Sequence, residues 1–123
     1  RDPRALLDER LQALKLLAEK RTAEADAKLE AALQADDRNT AAWMTLANLR
    51  APIADLGAYT ALCRRWMAAE PTNHQAHNLL GQFLEQKGKL AEALAEYRES
   101  LKLEENQPPI GEAVRRLEKA LNP

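Results

Sequence analysis

The side chains best suited to chemistry in this sequence are two histidines, His74 and His77. On a helix their i, i+3 spacing brings the two imidazoles together, an arrangement that can bind a metal ion. No third ligand is spaced to join them, although protein metal sites need three or four ligands. Packed or surface histidines are therefore the favoured interpretation, and neither a metal site nor any other cofactor is predicted.

The single cysteine, Cys63, lies on an apolar helical stripe with Tyr59 and Trp66,. We interpret it as a buried small hydrophobic residue, because a nucleophilic thiol needs exposure and a lowered pKa. One cysteine can form neither an internal disulfide nor a cysteine-based zinc site. A lone thiol favours a cytoplasmic location over a periplasmic one.

Familiar catalytic patterns are missing from the sequence. It contains no Gly-rich phosphate loop and no G-x-S-x-G nucleophile motif,. Acidic runs such as Glu104-Glu105 are most simply solvated helix ends. The sequence therefore predicts a protein that is not an enzyme.

Composition indicates a single all-α domain. Charged residues make up 30% of the 123 residues and balance to a net charge of −1, so a nucleic-acid partner is not predicted. No apolar run approaches the roughly 18 residues that span a bilayer, which argues against membrane insertion. Ala, Leu, Glu, Lys, Gln and Arg, the strong helix formers, dominate over β-branched residues. The chain starts at Arg1 without a methionine, and we interpret it as a fragment of a larger protein,.

Turn and capping residues divide the chain into seven predicted helices. Proline at 52, 71 and 108–109 interrupts helices because it lacks a backbone donor,. Helices are predicted to start at Asp2-Pro3, Thr22, Asn39 or Thr40, Asp55 and a Thr72–Gln75 capping box,. Turns are predicted at Lys20-Arg21 and Lys87-Gly88-Lys89. The helices are expected at about 3–18, 23–35, 40–50, 55–70, 73–86, 90–103 and 110–121.

The first predicted helix is unusually rich in leucine. Leu7, Leu11, Leu14 and Ala18 form one stripe, and Leu6, Ala13 and Leu17 lie beside it,. This apolar surface is wider than one neighbouring helix requires. It raises the alternative that the helix packs on a second copy of the chain, or on a missing part of the same protein.

A repeat of 34 residues divides the sequence into three units, 6–39, 40–73 and 74–107,. In the third unit Leu80-Gly81 is followed by Ala93, Tyr97 and the small Ser100. These residues resemble the tetratricopeptide repeat (TPR) pattern W-x2-L-G-x2-Y…A-x3-F…P. The resemblance implies one domain over 1–123, a right-handed superhelix of antiparallel helix hairpins with a capping helix at 108–123.

The first and middle units depart from this pattern. The tryptophan position holds Glu9, Trp43 and His77 in the three units, so that His77 is expected to face the neighbouring hairpin. Tyr59 and Trp66 occupy positions where small residues let two helices approach,. The middle hairpin is therefore expected to be splayed, or its second helix rotated.

In the family, the first helix of each hairpin lines a concave groove that holds a peptide or helix of a partner protein. Transferred to this sequence, the resemblance implies a groove that grades from apolar to amide-rich, with only one basic residue, Arg10. Clamping of a C-terminal carboxylate is therefore not favoured. The candidate groove residues are Arg10, Leu14, Leu17, Met44, Asn48, Asn78, Gln82 and Gln86.

Three functions follow as hypotheses. The first is a scaffold without catalytic activity that binds a peptide or helix of a protein partner, with amides pairing to its backbone and apolar residues holding an anchor. The second is a self-association module that acts through the leucine-rich N-terminal helix. The third is a regulatory TPR segment of a larger enzyme or of a membrane-anchored biogenesis factor.

Overall fold

The structure is a computed structural model that describes residues 3–123, except for the side chains of residues 5–9. Across these residues the chain forms helices and no strands, which confirms the all-α class. The predicted cap Asp2 and the side chains of Leu6, Leu7 and Glu9 lie outside the described residues. The helices are α1 (Pro3–Ala35), α2 (Thr40–Arg50), α3 (Leu56–Ala69), α4 (Gln75–Gln86), α5 (Leu90–Leu103) and α6 (Pro108–Leu121).

The prediction of a turn at Lys20-Arg21 was wrong, because α1 is one continuous helix of 33 residues. Lysine and arginine are good helix formers, and neither glycine nor proline interrupts this stretch. Thr22 was expected to cap a new helix, but its Oγ1 donates instead to the carbonyl oxygen of Ala18 at 2.9 Å. That bond to the preceding turn is one that a threonine inside a helix makes.

Capping side chains set the starts of α2 and α3, whereas His74, the N-cap of α4, makes no side-chain capping hydrogen bond. Asn39 accepts a hydrogen bond from the Ala42 N–H at 3.1 Å, and Asp55 accepts one from the Ala58 N–H at 2.7 Å, as predicted. The predicted Thr72–Gln75 capping box is absent among the described residues. Because α4 begins at Gln75, two residues later than expected, the Asn73 side chain is the one that accepts from the Gln75 N–H, at 2.9 Å.

The turn between α4 and α5 closes in a Schellman motif around Gly88. Gly88 has a φ of +76°, a conformation that glycine adopts without a steric penalty,. The Lys89 N–H donates to the Leu84 carbonyl at 2.9 Å, and the Gly88 N–H donates to the Glu85 carbonyl at 3.0 Å. The predicted tight turn at 87–89 is confirmed.

Packing follows chain order, since each helix packs against the next one along the chain. The helices of the middle hairpin, α2 and α3, pack less extensively than α4 and α5, in agreement with the expected splaying. Two aromatic rings fill the space between them, where Trp43 and Trp66 stack with centroids 6.5 Å apart. Tyr59 reaches the next hairpin and stacks on Phe83, with centroids 4.1 Å apart.

Helices α4 and α5 approach closely because Gly81 lacks a side chain. A Cβ atom at this position would lie 2.6 Å from a ring carbon of Tyr97. Leu80, Ala93 and Ser100 are fully buried beside it. The small residues of the repeat therefore perform the packing role that the sequence predicts for them.

Ion pairs hold the second half of α1 against the following helices. Arg50 on α2 donates to both carboxylate oxygens of Asp26, at 2.7 and 2.8 Å, and to Glu30 at 3.2 Å. Arg65 on α3 donates to both oxygens of Glu30 at 3.1 Å. These contacts begin only after the first two-thirds of α1.

Candidate functional site

The first helices of the second and third units, α2 and α4, present polar side chains that the fold does not use. Asn48 on α2, and Gln82 and Gln86 on α4, are exposed. In the part of the chain that the structure describes, none of the three side chains has a hydrogen-bond partner. Each amide both donates and accepts, so the three side chains can pair with the peptide groups of a bound chain.

Asn78, the fourth predicted amide, is already engaged. Its Nδ2 donates to the Oε1 of Gln107 at 2.8 Å, and Gln107 in turn donates to the Ser100 hydroxyl at 3.0 Å and to the Glu104 carbonyl at 2.7 Å. The Oδ1 of Asn78 is buried and has no partner among the described residues. Asn78 thus fixes the connection between α5 and α6 to α4, a role that the sequence did not reveal.

Met44 is the apolar member of this surface. It is half-buried and packs against the core. Its thioether is flexible and adapts to the shape of a neighbour. It can therefore provide an apolar contact next to the exposed Asn48, one turn further along α2.

The remaining predicted residues, Arg10, Leu14 and Leu17, lie on a different part of the molecule. Every residue of α1 from Arg10 to Arg21 is exposed, and half-buried residues begin at Thr22. Leu14 retains 63% and Leu17 46% of its accessible surface. The structure thus separates these three residues from the packed array that carries the others.

A hydrogen-bonded cluster around the buried Glu96 joins the middle and third hairpins, and sequence reasoning missed it. Glu96 on α5 accepts a hydrogen bond from Arg64 on α3 at 2.6 Å and pairs with the Nδ1 of His77 on α4 at 2.7 Å. The Glu96 side chain is only 9% exposed. The role of this carboxylate could not be identified from the sequence, because its partners come from two other helices.

His77 therefore pairs with a side chain on α5, within its own hairpin. It is not arranged as a metal ligand. Among residues 3–123, apart from the undescribed side chains, no group of three or more His, Cys, Asp or Glu residues could hold a metal ion. Cys63 is fully buried, and desolvation raises the pKa of its thiol to about 12. This confirms the interpretation of Cys63 as a packed residue, since a thiolate would not form near neutral pH.

Among the helices of residues 3–123, none combines the length and the apolar character that spanning a membrane requires.

Sequence comparison connects the packed hairpins to a known family. The family model for the tetratricopeptide repeat matches residues 62–95, from the second half of α3 into α5. The match covers Leu80, Gly81 and Ala93, the residues that bring α4 and α5 into contact. Residues 62–95 therefore form a tetratricopeptide repeat. A search of curated proteins returned no match.

Solved TPR structures share the α-solenoid fold of this chain. The first TPR of Spaghetti (RPAP3), bound to the HSP90 peptide SRMEEVD, superposes with a TM-score of 0.68 at 20% identity and covers 99% of this chain and 97% of its own. The Yersinia enterocolitica type III secretion chaperone SycD, in complex with a peptide of the translocator YopD, gives 0.69 at 14% identity, covering 98% of both chains. The Arabidopsis OM64 TPR domain gives 0.65 at 21% identity, covering 84% of this chain and 85% of that one.

Proposed function

We propose that this TPR chain is a protein-interaction module without catalytic activity that binds an extended peptide or a helix of a partner protein along α2 and α4. The supporting observation is that three exposed amides on these two helices, Asn48, Gln82 and Gln86, have no internal partners among the described residues. Unused amides on these helices suit a ligand that offers unpaired peptide groups.

In this proposal Met44 supplies the apolar contact and the amides set the register of the bound chain. Neighbouring peptide groups of an extended ligand alternate in direction, so donors and acceptors are needed on the same surface. Asparagine and glutamine provide both, unlike lysine or glutamate. Peptides bound by the Spaghetti (RPAP3) and SycD domains agree with a ligand of this kind.

Asn78 has a supporting part in the proposal. Its bond to Gln107 holds the start of α6 beside α4, which shapes the C-terminal end of the surface. Arg10, Leu14 and Leu17 remain predicted ligand contacts. Since all three lie on the exposed part of α1, the surface of α2 and α4 carries the proposal without them.

The test is selection of peptides from a random display library by the immobilised chain, followed by titration of the selected peptides in solution. Asn48→Ala combined with Gln82→Ala removes two free amides and is expected to weaken binding about thirtyfold, because each hydrogen bond contributes on the order of 1 kcal/mol. Circular dichroism should show unchanged helix content, since both side chains are exposed.

Glu92→Ala provides the matched control, because Glu92 is an exposed polar residue on the second helix α5. Peptide affinity should be unchanged in this variant. Equal binding by the wild-type chain and the double variant would contradict the proposed surface, and so would failure of the library to yield any peptide.

A further inference from the structure

The exposed faces of α2 and α4 are nearly free of charged residues, although charged residues make up 30% of the sequence. Residues 40–49 and residues 71–84 contain no Asp, Glu, Lys or Arg. The neighbouring helix α5 carries charge along its whole length, at Glu92, Glu96, Arg98, Glu99 and Lys102. Charge therefore differs from helix to helix in this fold, and α2 and α4 are the neutral helices.

The single charge near the end of each of these two helices is already paired within the fold. Arg50, the only charged residue of α2, forms ion pairs with two carboxylates of α1 at 2.7 and 3.2 Å. Glu85, the only carboxylate of α4, accepts hydrogen bonds from Arg116 at 2.9 and 3.1 Å and from the Tyr97 hydroxyl at 3.0 Å. Neither helix therefore presents an uncompensated charge to a ligand.

Two other titratable side chains of this region are directed at neighbouring helices. His77 pairs with Glu96 of α5 at 2.7 Å, so its ring faces the second helix of the hairpin. The Lys87 ammonium lies 5.3 Å from the centroid of the Phe83 ring, which stacks on Tyr59 of α3. The exposed side chains that remain on α2 and α4 before these charged ends are small or amide-bearing, and they include Ala41, Thr45, Asn48 and Gln82.

We propose that the ligand side chains that face α2 and α4 are uncharged, so that this module selects neutral peptide segments. The inference rests on the proposed function and adds the chemical class of the ligand. A charged ligand side chain on this surface would lose hydration without meeting a counter-charge, which is unfavourable for either sign. Amide and hydroxyl groups of a ligand can instead pair with Asn48, Gln82 and Gln86, which both donate and accept.

Such a surface discriminates by rejecting charge, and not by attracting it. A surface built for ion pairs accepts one sign of charge and rejects the other, whereas a neutral surface rejects both. Because alternate side chains of an extended chain point in opposite directions, charged residues are accepted only where they point away from the helices. Charge resumes on α6, whose exposed Glu112, Arg116 and Lys119 share one helix face,, and the neutral surface ends there.

A charge scan of the selected peptides tests this inference. Each position of a peptide is replaced in turn by aspartate and by lysine, with asparagine and methionine as uncharged replacements of similar size. At contact positions aspartate and lysine should both raise the dissociation constant about tenfold or more, and the uncharged replacements should raise it less than about threefold. At the alternate positions all four replacements should be tolerated.

Ionic strength provides a second measurement on the same peptides. Salt screens interactions between charges and acts much less on hydrogen bonds between neutral groups. Between about 50 and about 500 mM sodium chloride, the dissociation constant of a selected peptide should therefore change less than about twofold. A ligand held by ion pairs would weaken strongly over the same range.

The matched protein variants are Gln82→Glu and Glu92→Gln. Gln82→Glu places a carboxylate on α4 with almost no change in shape and should weaken a selected neutral peptide about tenfold, because an amide donor is replaced by an unpaired charge. The same variant should tolerate lysine better than aspartate at the contact positions. Glu92→Gln makes the reverse change on the exposed face of α5 and should leave peptide affinity unchanged.

Tolerance of one sign of charge at the contact positions overturns this inference, and so does a large loss of affinity in high salt. The proposed function survives both results if the Asn48→Ala and Gln82→Ala double variant still loses the peptide. Equal binding by the wild-type chain and that double variant contradicts the proposed function itself, and the inference falls with it. Unchanged affinity in Gln82→Glu overturns the inference alone.

Discussion

One repeat spacing produces two different structures in this chain, a closed hairpin in the third unit and a continuous helix in the first. In the third unit α4 and α5 are joined at Gly88, whose φ of +76° allows the chain to reverse in a tight turn. At the equivalent place in α1 stand Lys20 and Arg21, and the helix continues through them. A periodic apolar pattern therefore determines which face of a helix is apolar. Whether two such faces pack against each other depends on a residue that ends the first helix between them.

Packing shows the same contrast. Leu80 and Gly81 are fully enclosed between α4 and α5, whereas Gln12 and Ala13, at the equivalent positions of the first unit, are exposed. The repeat positions are structural only where a second helix returns to cover them. Where none returns within the described chain, as around Leu14, the apolar face remains available for another molecule.

The largest expected effect comes from making the same substitution in both regions. Leu80→Ala should lower the free energy of unfolding by about 2–5 kcal/mol, because it leaves a cavity in a fully buried site,. Leu14→Ala should change it by less than about 0.5 kcal/mol at chain concentrations where the protein is monomeric. Urea denaturation measures both, and similar losses for the two variants would contradict the distinction between the regions.

Gly81→Ala should lower stability by about 1–3 kcal/mol, although alanine is the better helix former by about 1 kcal/mol. The reason is the added methyl group, which would lie 2.6 Å from the Tyr97 ring. Ala13→Gly at the equivalent exposed position should cost only the difference in helix propensity, up to about 1 kcal/mol. Thermal unfolding would refute the packing argument if Gly81→Ala raised the melting temperature.

Arg50→Met should loosen the covered half of α1 selectively, by about 1–2 kcal/mol, because it removes the hydrogen bonds to Asp26 and Glu30,. Hydrogen exchange of amides in residues 22–35 should then speed up, while exchange in α4 and α5 stays unchanged. Arg98→Met, which removes an exposed ion pair between α5 and α6, is the control and should leave α1 unaffected. Uniform acceleration across all helices would indicate global destabilisation instead.

The smallest expected effect is a pH dependence in the third hairpin. The hydrogen bond from Arg116 lowers the pKa of Glu85 below its ordinary value of 4.5. A lowered pKa in the folded state means that the ion pair stabilises the fold above that ordinary value and that this contribution disappears as the pH falls through the folded-state pKa. Because Arg116 is 58% exposed, the contribution should stay below about 1 kcal/mol.

Comparison of the wild-type chain with Glu85→Gln by urea denaturation measures this contribution. The wild-type chain should be the more stable of the two near neutral pH, and the two stabilities should converge in acid solution. A difference that grows as the pH falls would have the wrong sign for a carboxylate with a lowered pKa.

Much of the fold was predictable because its signals are local. The caps Asn39 and Asp55, the turn at Gly88 and the bounds of α5 follow from neighbouring residues in the chain, and the structure has them as predicted. The failed prediction of a turn at Lys20-Arg21 relied on a polar pair followed by Thr22 as a possible cap. All three residues are also compatible with the interior of a helix, and helix propensity prevailed,.

Some features of the candidate site could likewise be predicted from the sequence, and others could not. Exposure of Asn48, Gln82 and Gln86 follows from their positions opposite the apolar stripes of α2 and α4,. The engagement of Asn78 by Gln107 was not predictable, since 29 residues separate the two side chains. A hydrogen bond of that kind depends on how α5 and α6 pack against α4.

The sequence by itself determined the all-α class, the repeat and most helix boundaries, because helix propensity, capping and periodicity act within a few turns. Only the tertiary structure decided which polar groups are already paired and which apolar faces are covered. Glu96, Arg64 and His77 meet from three different helices, and Leu14 stays exposed because no described helix returns to it. Both outcomes depend on the positions of whole helices, which no local pattern specifies.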